Sequence, residues 1–160
     1  MQLAKELAHT CYQLYARSGS GLAPEIIQFV QGHPDFKVNG GYDSGNFLRP
    51  ETVESLHVME SLTGEAKYAD QNWNIFKRWE KHAFVGSGGY ACLLNTQNKK
   101  PNHDDKMESF FISESLKYLS LTFETKSQAT KEFFKTFVFN TEAHPLPIIP
   151  EKPKSVLVQI

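Results

Sequence analysis

Apolar residues recur at three- and four-residue steps over four stretches of the chain, the pattern of helices that bury one face. Leu3, Leu7, Cys11, Leu14 and Tyr15 predict an amphipathic helix over residues 2–17, ended by Ser18-Gly19-Ser20-Gly21. Pro50 suits a first helical position, Glu51 and Glu54 complement the positive end of the helix dipole, and Thr63-Gly64 stops that helix. A further helix is expected over 65–82, where Tyr68, Trp73, Phe76 and Trp79 keep helical spacing. Over 104–123 one stripe holds Met107, Phe110, Phe111, Tyr118 and Leu121, and a second holds Ile112, Leu116, Leu119 and Phe123. Two stripes predict burial on two sides.

The intervening stretches read differently. Gly, Pro, Asn and Asp crowd residues 32–45, which predicts an irregular connection, preceded by at most a short helix over 24–30. The Gly86-Ser87-Gly88-Gly89-Tyr90 run predicts a turn with short strands, 124–136 reads as a connection, and Phe137-Val138-Phe139 reads as a strand. A Pro-rich tail is expected from Pro145 to Pro153. The fold class is all-α, a stack of antiparallel helical hairpins. At 160 residues one core is expected, burying roughly 70% of the unfolded surface.

Composition narrows the partners. Lys+Arg 17 against Asp+Glu 18 leaves no electrostatic footprint for nucleic acid or an anionic membrane, so a neutral ligand is more natural. An aromatic content of 12% suits both a packed helical core and a pocket that stacks sugar rings. No run of eighteen apolar residues predicts a membrane span, and the opening segment lacks the apolar core of a signal peptide. Cys11 and Cys92 make neither a zinc spacing nor a disulfide framework, and His57, His82, His103 and His144 form no pair at metal-ligand spacing.

Among candidate chemical groups, Glu114 stands out: it occupies the first stripe of 104–123 where an apolar residue is due. Such a carboxylate needs a partner, and a salt bridge to a neighbouring helix competes evenly with a functional role. For Glu51 the residues alone favour a plain helix-dipole role, and Asn140-Thr141-Glu142 alone reads as a polar turn after a strand.

Four collinear segments add to this picture: Gly21-Leu22-Ala23-Pro24-Glu25, Arg49-Pro50-Glu51-Thr52-Val53-Glu54-Ser55, Asp105-Lys106-Met107-Glu108-Ser109-Phe110-Phe111 and Val138-Phe139-Asn140-Thr141-Glu142-Ala143-His144-Pro145. In this order they resemble the class I α-mannosidases, glycoside hydrolase family 47, and the Lys106-Met107-Glu108-Ser109 wording resembles the endoplasmic reticulum branch. The resemblance covers residues 1–149, matching the C-terminal third of the family's catalytic domain, with 150–160 as a tail. It implies part of an (α/α)7 barrel with a C-terminal β-hairpin whose tip carries Asn140 to His144 into the cavity. The implied reaction is calcium-dependent, inverting hydrolysis of terminal α-1,2-linked mannose from N-glycans, in the endoplasmic reticulum or Golgi.

By the same resemblance, Glu51 is the general base and Thr141 the direct calcium ligand. Glu25, Arg49, Glu54, Phe110, Glu114 and Glu142 are implied as substrate-side residues, several holding the waters of the metal. The general acid, the partner cysteine of Cys11 and any membrane anchor are expected in sequence upstream of Met1, which makes the preceding part of the domain an expected partner beside the high-mannose glycan. The chain alone is then expected to be inactive. A non-catalytic mannose-binding module in glycoprotein quality control is the alternative.

Overall fold

A computed structural model describes residues 1–124 and 127–149; the tail expected over 150–160 lies outside the described residues. The elements are helix α1 (Gln2–Ala16), α2 (Glu51–Thr63) and α3 (Ala66–His82), the two-residue strands β1 (Cys92–Leu93) and β2 (His103–Asp104), α4 (Lys117–Glu124), α5 (Gln128–Thr136), and the strands β3 (Phe137–Phe139) and β4 (Pro145–Pro147). A six-residue π-helical segment, Phe111–Leu116, leads directly into α4. The fold is mostly helical, with two small antiparallel sheets pairing β1 with β2 and β3 with β4.

The three helices expected first are found almost as expected. Gly64 ends α2 in the left-handed conformation at φ 67, its N–H donating to the Glu60 carbonyl at 2.8 Å, a geometry that costs glycine little. Pro50 lies just outside α2 as its N-cap residue rather than as its first residue. After α1 the chain passes so close to Gln97 that a Cβ on Gly19 would stand 2.0 Å from that carbonyl oxygen. Only glycine permits that approach.

Other expectations need correction. The helix expected from residue 104 starts at Ser109, because His103–Asp104 pairs as a strand with Cys92–Leu93. The connection expected over 124–136 contains α5, capped by Ser127, whose hydroxyl accepts from the Thr130 N–H at 3.0 Å. The start of the expected tail is a strand: Pro145–Pro147 pairs with Phe137–Phe139, Phe139 opposite Pro145. Residues 24–30 form no helix, only a bridge between Gln28 and Lys37.

The core gathers where α2, α3 and α4 meet, around Val53, Leu56, Ile75, Trp79, Phe111 and Tyr118. Trp79 meets Phe111 edge-on at 5.5 Å between ring centroids. Asn72 links the three helices, its amide donating to the Val53 carbonyl at 3.1 Å and to the Thr122 hydroxyl at 3.0 Å. Tyr15 of α1 packs onto α2 and hydrogen-bonds Thr52, and burial raises its phenol to about 12.

The stripe of α1 is only partly used: Tyr15 is buried, but Leu3 and Leu7 are 68% and 57% exposed. On α2, Leu62 is 67% exposed, so the face shared by Glu51, Glu54, Val58 and Leu62 is open rather than a core face. Ile112 and Phe123 of the second stripe are exposed as well. The two-sided burial expected for that helix is therefore incomplete within this chain. Among the described residues, no helix is long and apolar enough to cross a membrane.

His57 is buried in this core, its ring 5.5 Å from Phe134 and 6.0 Å from Tyr118. Burial lowers its pKa from 6.5 to about 4. Between those values the unfolded chain binds the extra proton and the folded chain does not, so the stability contributed by the neutral ring is complete above pH 6.5 and lost as pH falls toward 4. The full shift is worth on the order of 3 kcal/mol. Glu114, whose carboxyl is raised in the fold, acts with the opposite sign as it protonates. Urea unfolding at pH 7 and pH 5 is expected to show wild-type stability falling more steeply with acid than that of His57→Gln; parallel losses would contradict the assignment.

Candidate active site

The site is built where the start of α2, the π segment and the β3–β4 turn come together. An irregular loop delivers α2, and its position depends on Asn46. The buried Asn46 amide donates to the Ala23 carbonyl at 2.9 Å, and its oxygen accepts from the Leu48 N–H and from the Trp79 indole, each at 3.2 Å. Its backbone exchanges two 2.9 Å hydrogen bonds with Leu93. Leu48 follows in the left-handed region at φ 61 although it is fully buried and not glycine, a conformation retained only where surrounding contacts enforce it. Ser115 enforces it from the π segment, donating to the Leu48 carbonyl at 2.6 Å. The chain therefore turns sharply just before Arg49-Pro50-Glu51.

Arg49 pairs with Glu25 and lies over the Phe110 ring, 5.5 Å from its centroid. These expected substrate-side residues, from three separate segments, are thus brought together. Glu51 is exposed at the first turn of α2, and Glu54, half-buried, accepts from the Tyr118 hydroxyl at 3.1 Å. Burial and the Glu54 charge beside it raise the Tyr118 phenol well above its usual range.

Glu114 resolves the question left by the sequence. It is 5% exposed, and among the described residues its carboxylate makes no ion pair and no hydrogen bond, while its carbonyl accepts from the Lys117 N–H. Its carboxyl is raised, first by burial and then by the negative charges of Glu142, Glu51 and Glu54, while Lys117 acts in the opposite sense. Desolvation is the larger effect, and the like charges add to it. A π turn explains the placement: its wider winding puts both Glu114 and Ser115 inside.

The β3–β4 turn supplies Thr141 and Glu142, both exposed. Asn140 shapes it, its side-chain oxygen accepting from the Glu142 N–H at 3.0 Å and the His144 N–H at 2.9 Å. Glu142 is thereby held within electrostatic reach of Glu114. Among the described residues no three His, Cys, Asp or Glu side chains are grouped closely enough to hold a metal alone. The available donors are nonetheless all oxygens, on Glu114, on the three carboxylates whose charges reach it, and on one threonine. That set fits a hard cation with few direct protein ligands and a shell of waters.

A cleft of about 820 Å³ lies beside this site, between α2, α5 and β3, lined by His57, Leu62, Phe134 and Phe137. Of the expected site residues its lining holds Glu54. The cleft is apolar, so the chemistry belongs to the open face bearing the carboxylates. Sequence reasoning missed Asn46, Leu48, Ser115, Lys117 and Tyr118. Ser115 and Tyr118 could have been found from their position beside Glu114, one residue away and one turn on.

Residues 1–148 match glycosyl hydrolase family 47, and the chain belongs to that family. It is 46% identical over 153 residues to the endoplasmic reticulum mannosyl-oligosaccharide 1,2-alpha-mannosidase of Homo sapiens, covering 92% of this chain and 22% of that protein. It is 44% identical over 163 residues to the mannosyl-oligosaccharide 1,2-alpha-mannosidase MNS3 of Arabidopsis thaliana, covering 92% and 26% respectively. The structure superposes on an alpha-1,2-mannosidase from Trichoderma reesei with a TM-score of 0.76 at 32% identity, covering 89% of this chain and 33% of that one. The chain thus spans about a quarter of the length of these curated relatives.

Glu114→Gln removes a buried charge that has no partner and is expected to stabilise the chain by about 1 kcal/mol at pH 7. Urea denaturation checks this; destabilisation of that size would mean that Glu114 is paired.

Proposed function

We propose that this chain holds the base and cation side of a mannosidase site, part of an (α/α)7 barrel that removes terminal α-1,2-linked mannose from N-glycans in the endoplasmic reticulum or Golgi. The observation that carries the proposal is the grouping of Glu51, Glu54 and Glu142 around the buried Glu114, whose carboxyl is raised although Lys117 acts in the opposite sense. Family membership and the names of the relatives support it.

Hydrolysis of a glycosidic bond with inversion needs a carboxylate that activates water on one face of the sugar and an acid on the leaving oxygen, the two roughly 6.5–9.5 Å apart. Glu51 is the base: exposed at the head of α2, it can accept the proton of a water whose oxygen attacks the anomeric carbon. The bond to the leaving oxygen breaks as that oxygen takes a proton from an acid contributed by the remainder of the domain. Phe110 and Arg49 orient the sugar, Phe110 by packing on the ring and Arg49 by donating to hydroxyl oxygens, while Glu25 fixes the guanidinium. Glu54, Glu114 and Glu142 accept from hydroxyls and ordered waters. Thr141 would hold calcium through its hydroxyl and carbonyl oxygens, the carboxylates holding the surrounding waters. Calcium, when bound, would supply positive charge and open positions for neutral hydroxyl oxygens.

A second reading is a non-catalytic mannose-binding module in glycoprotein quality control, favoured by the presence on this one chain of Arg49, Phe110 and the carboxylates that would contact the sugar. It requires calcium-dependent binding of mannose without its release.

In a polypeptide that joins this chain to the preceding helices of a family 47 domain, Glu51→Gln is expected to lower kcat by about 10²-fold or more, while glycan binding survives. Unchanged turnover would remove the base assignment. Thr141→Ala is expected to weaken calcium binding to the chain itself at least about tenfold by calorimetry, one lost direct ligand being worth about 1.4 kcal/mol or more. Equal affinity in both proteins would exclude Thr141 as the ligand.

A further inference from the structure

The hydrogen bonds within the Asn140–His144 turn fix its shape but not its place. The Asn140 N–H donates to the His144 carbonyl and the Ala143 N–H to the Asn140 carbonyl, both at 3.0 Å, and all these bonds lie inside the turn. A turn held only in this way could swing as a unit on its two short strands. Its position over the helices depends on contacts that cross to α4.

Those contacts centre on Lys117. Its ammonium donates to the Ala143 carbonyl at 3.0 Å and lies 5.8 Å from the centre of the Phe139 ring. Tyr118, the next residue, meets the same ring edge-on at 5.8 Å. Ala143 has positive φ (54) and is completely buried, so its methyl is seated against the body of the protein. Lys117 stands three residues after Glu114, nearly one turn along the same helical segment. One side chain therefore connects the helix that carries Glu114 to the turn that carries Thr141 and Glu142.

We propose that Lys117 is a positioning residue, latching the hairpin tip onto α4 so that Thr141 and Glu142 are held opposite Glu114. The ammonium touches neither a reacting atom nor Thr141; it acts through the Ala143 carbonyl. A hydrogen bond from a charged donor is stronger than a neutral one, which suits a latch on an otherwise exposed turn. As a cation within electrostatic reach of Glu114, Lys117 would also repel a bound metal, so its two effects on cation affinity have opposite signs.

The inference rests on the proposed reading of Thr141 and Glu142 only for its consequence on metal binding; the latch is tested without it. Amide hydrogen exchange would be measured on the whole chain and on Lys117→Met and Lys117→Arg, with calcium affinity measured by calorimetry. With the latch lost, Lys117→Met is expected to speed exchange at Glu142, Ala143 and His144 by about tenfold or more, with α3 amides unchanged. Its calcium affinity is expected to fall although a repelling charge has been removed, and Lys117→Arg is expected to recover both properties. Unchanged exchange at the tip would overturn the latch. Tighter calcium binding by Lys117→Met would overturn the positioning role and leave Lys117 a simple counter-charge. If the wild-type chain binds no calcium, the reading of Thr141 fails, while tip exchange still decides the role of Lys117.

Discussion

Four carboxylates of like sign must be held together, and this constraint shapes the structure around them. Glu51, Glu54, Glu114 and Glu142 come from the head of α2, the π segment and the β3–β4 turn. The charges of Glu51, Glu54 and Glu142 each disfavour the ionised form of Glu114. The segments are held by the Asn46 amide, which bonds three segments at once, by the Ser115 hydroxyl on the Leu48 carbonyl, and by the Lys117 ammonium on the Ala143 carbonyl of a turn that Asn140 shapes from within. The helical core of Trp79, Phe111 and Tyr118 gives these polar contacts a fixed base.

Local strain accompanies the constraint at two places. Leu48 and Ala143 are non-glycine residues with positive φ, and both are completely buried. One precedes the segment bearing Arg49 and Glu51, and the other follows Thr141 and Glu142. Such conformations persist where the surroundings over-determine them. Here the surroundings are Ser115 in one case and Lys117 in the other, two residues apart on one continuous helical segment. That segment carries Glu114 as well, so it is the common reference for both halves of the site.

The sequence disclosed the parts governed by period. Residues 2–16, 51–63 and 66–82 are helices where apolar spacing places them, and Glu114 is conspicuous because it interrupts a stripe. Elements held by a few long-range hydrogen bonds were hidden. Asn46 lies in a loop with no periodicity, and nothing in its neighbours shows that its amide reaches both Ala23 and Trp79. Pairing of His103–Asp104 with Cys92–Leu93 shortened a helix that the apolar pattern extends to residue 104. The cap that begins α5, Ser127 to Thr130, was available in the sequence, but the adjoining Phe133, Phe134 and Phe137 were too few to define a stripe. The pattern alone did not show that Leu3, Leu7 and Leu62 are exposed, since it marks a face that can be buried without identifying what covers it; exposed flanks follow instead from the resemblance, because four helices cannot close the implied barrel.

The most direct test is the titration of the Glu114 carboxyl in the intact chain, followed by carbon-detected NMR with and without calcium. Burial, with the negative charge of Glu142, Glu51 and Glu54 added to it, predicts a pKa above the usual glutamate range that falls when calcium is added. An ordinary glutamate pKa, unmoved by calcium, would contradict the account of this face as a charge cluster built to hold a cation.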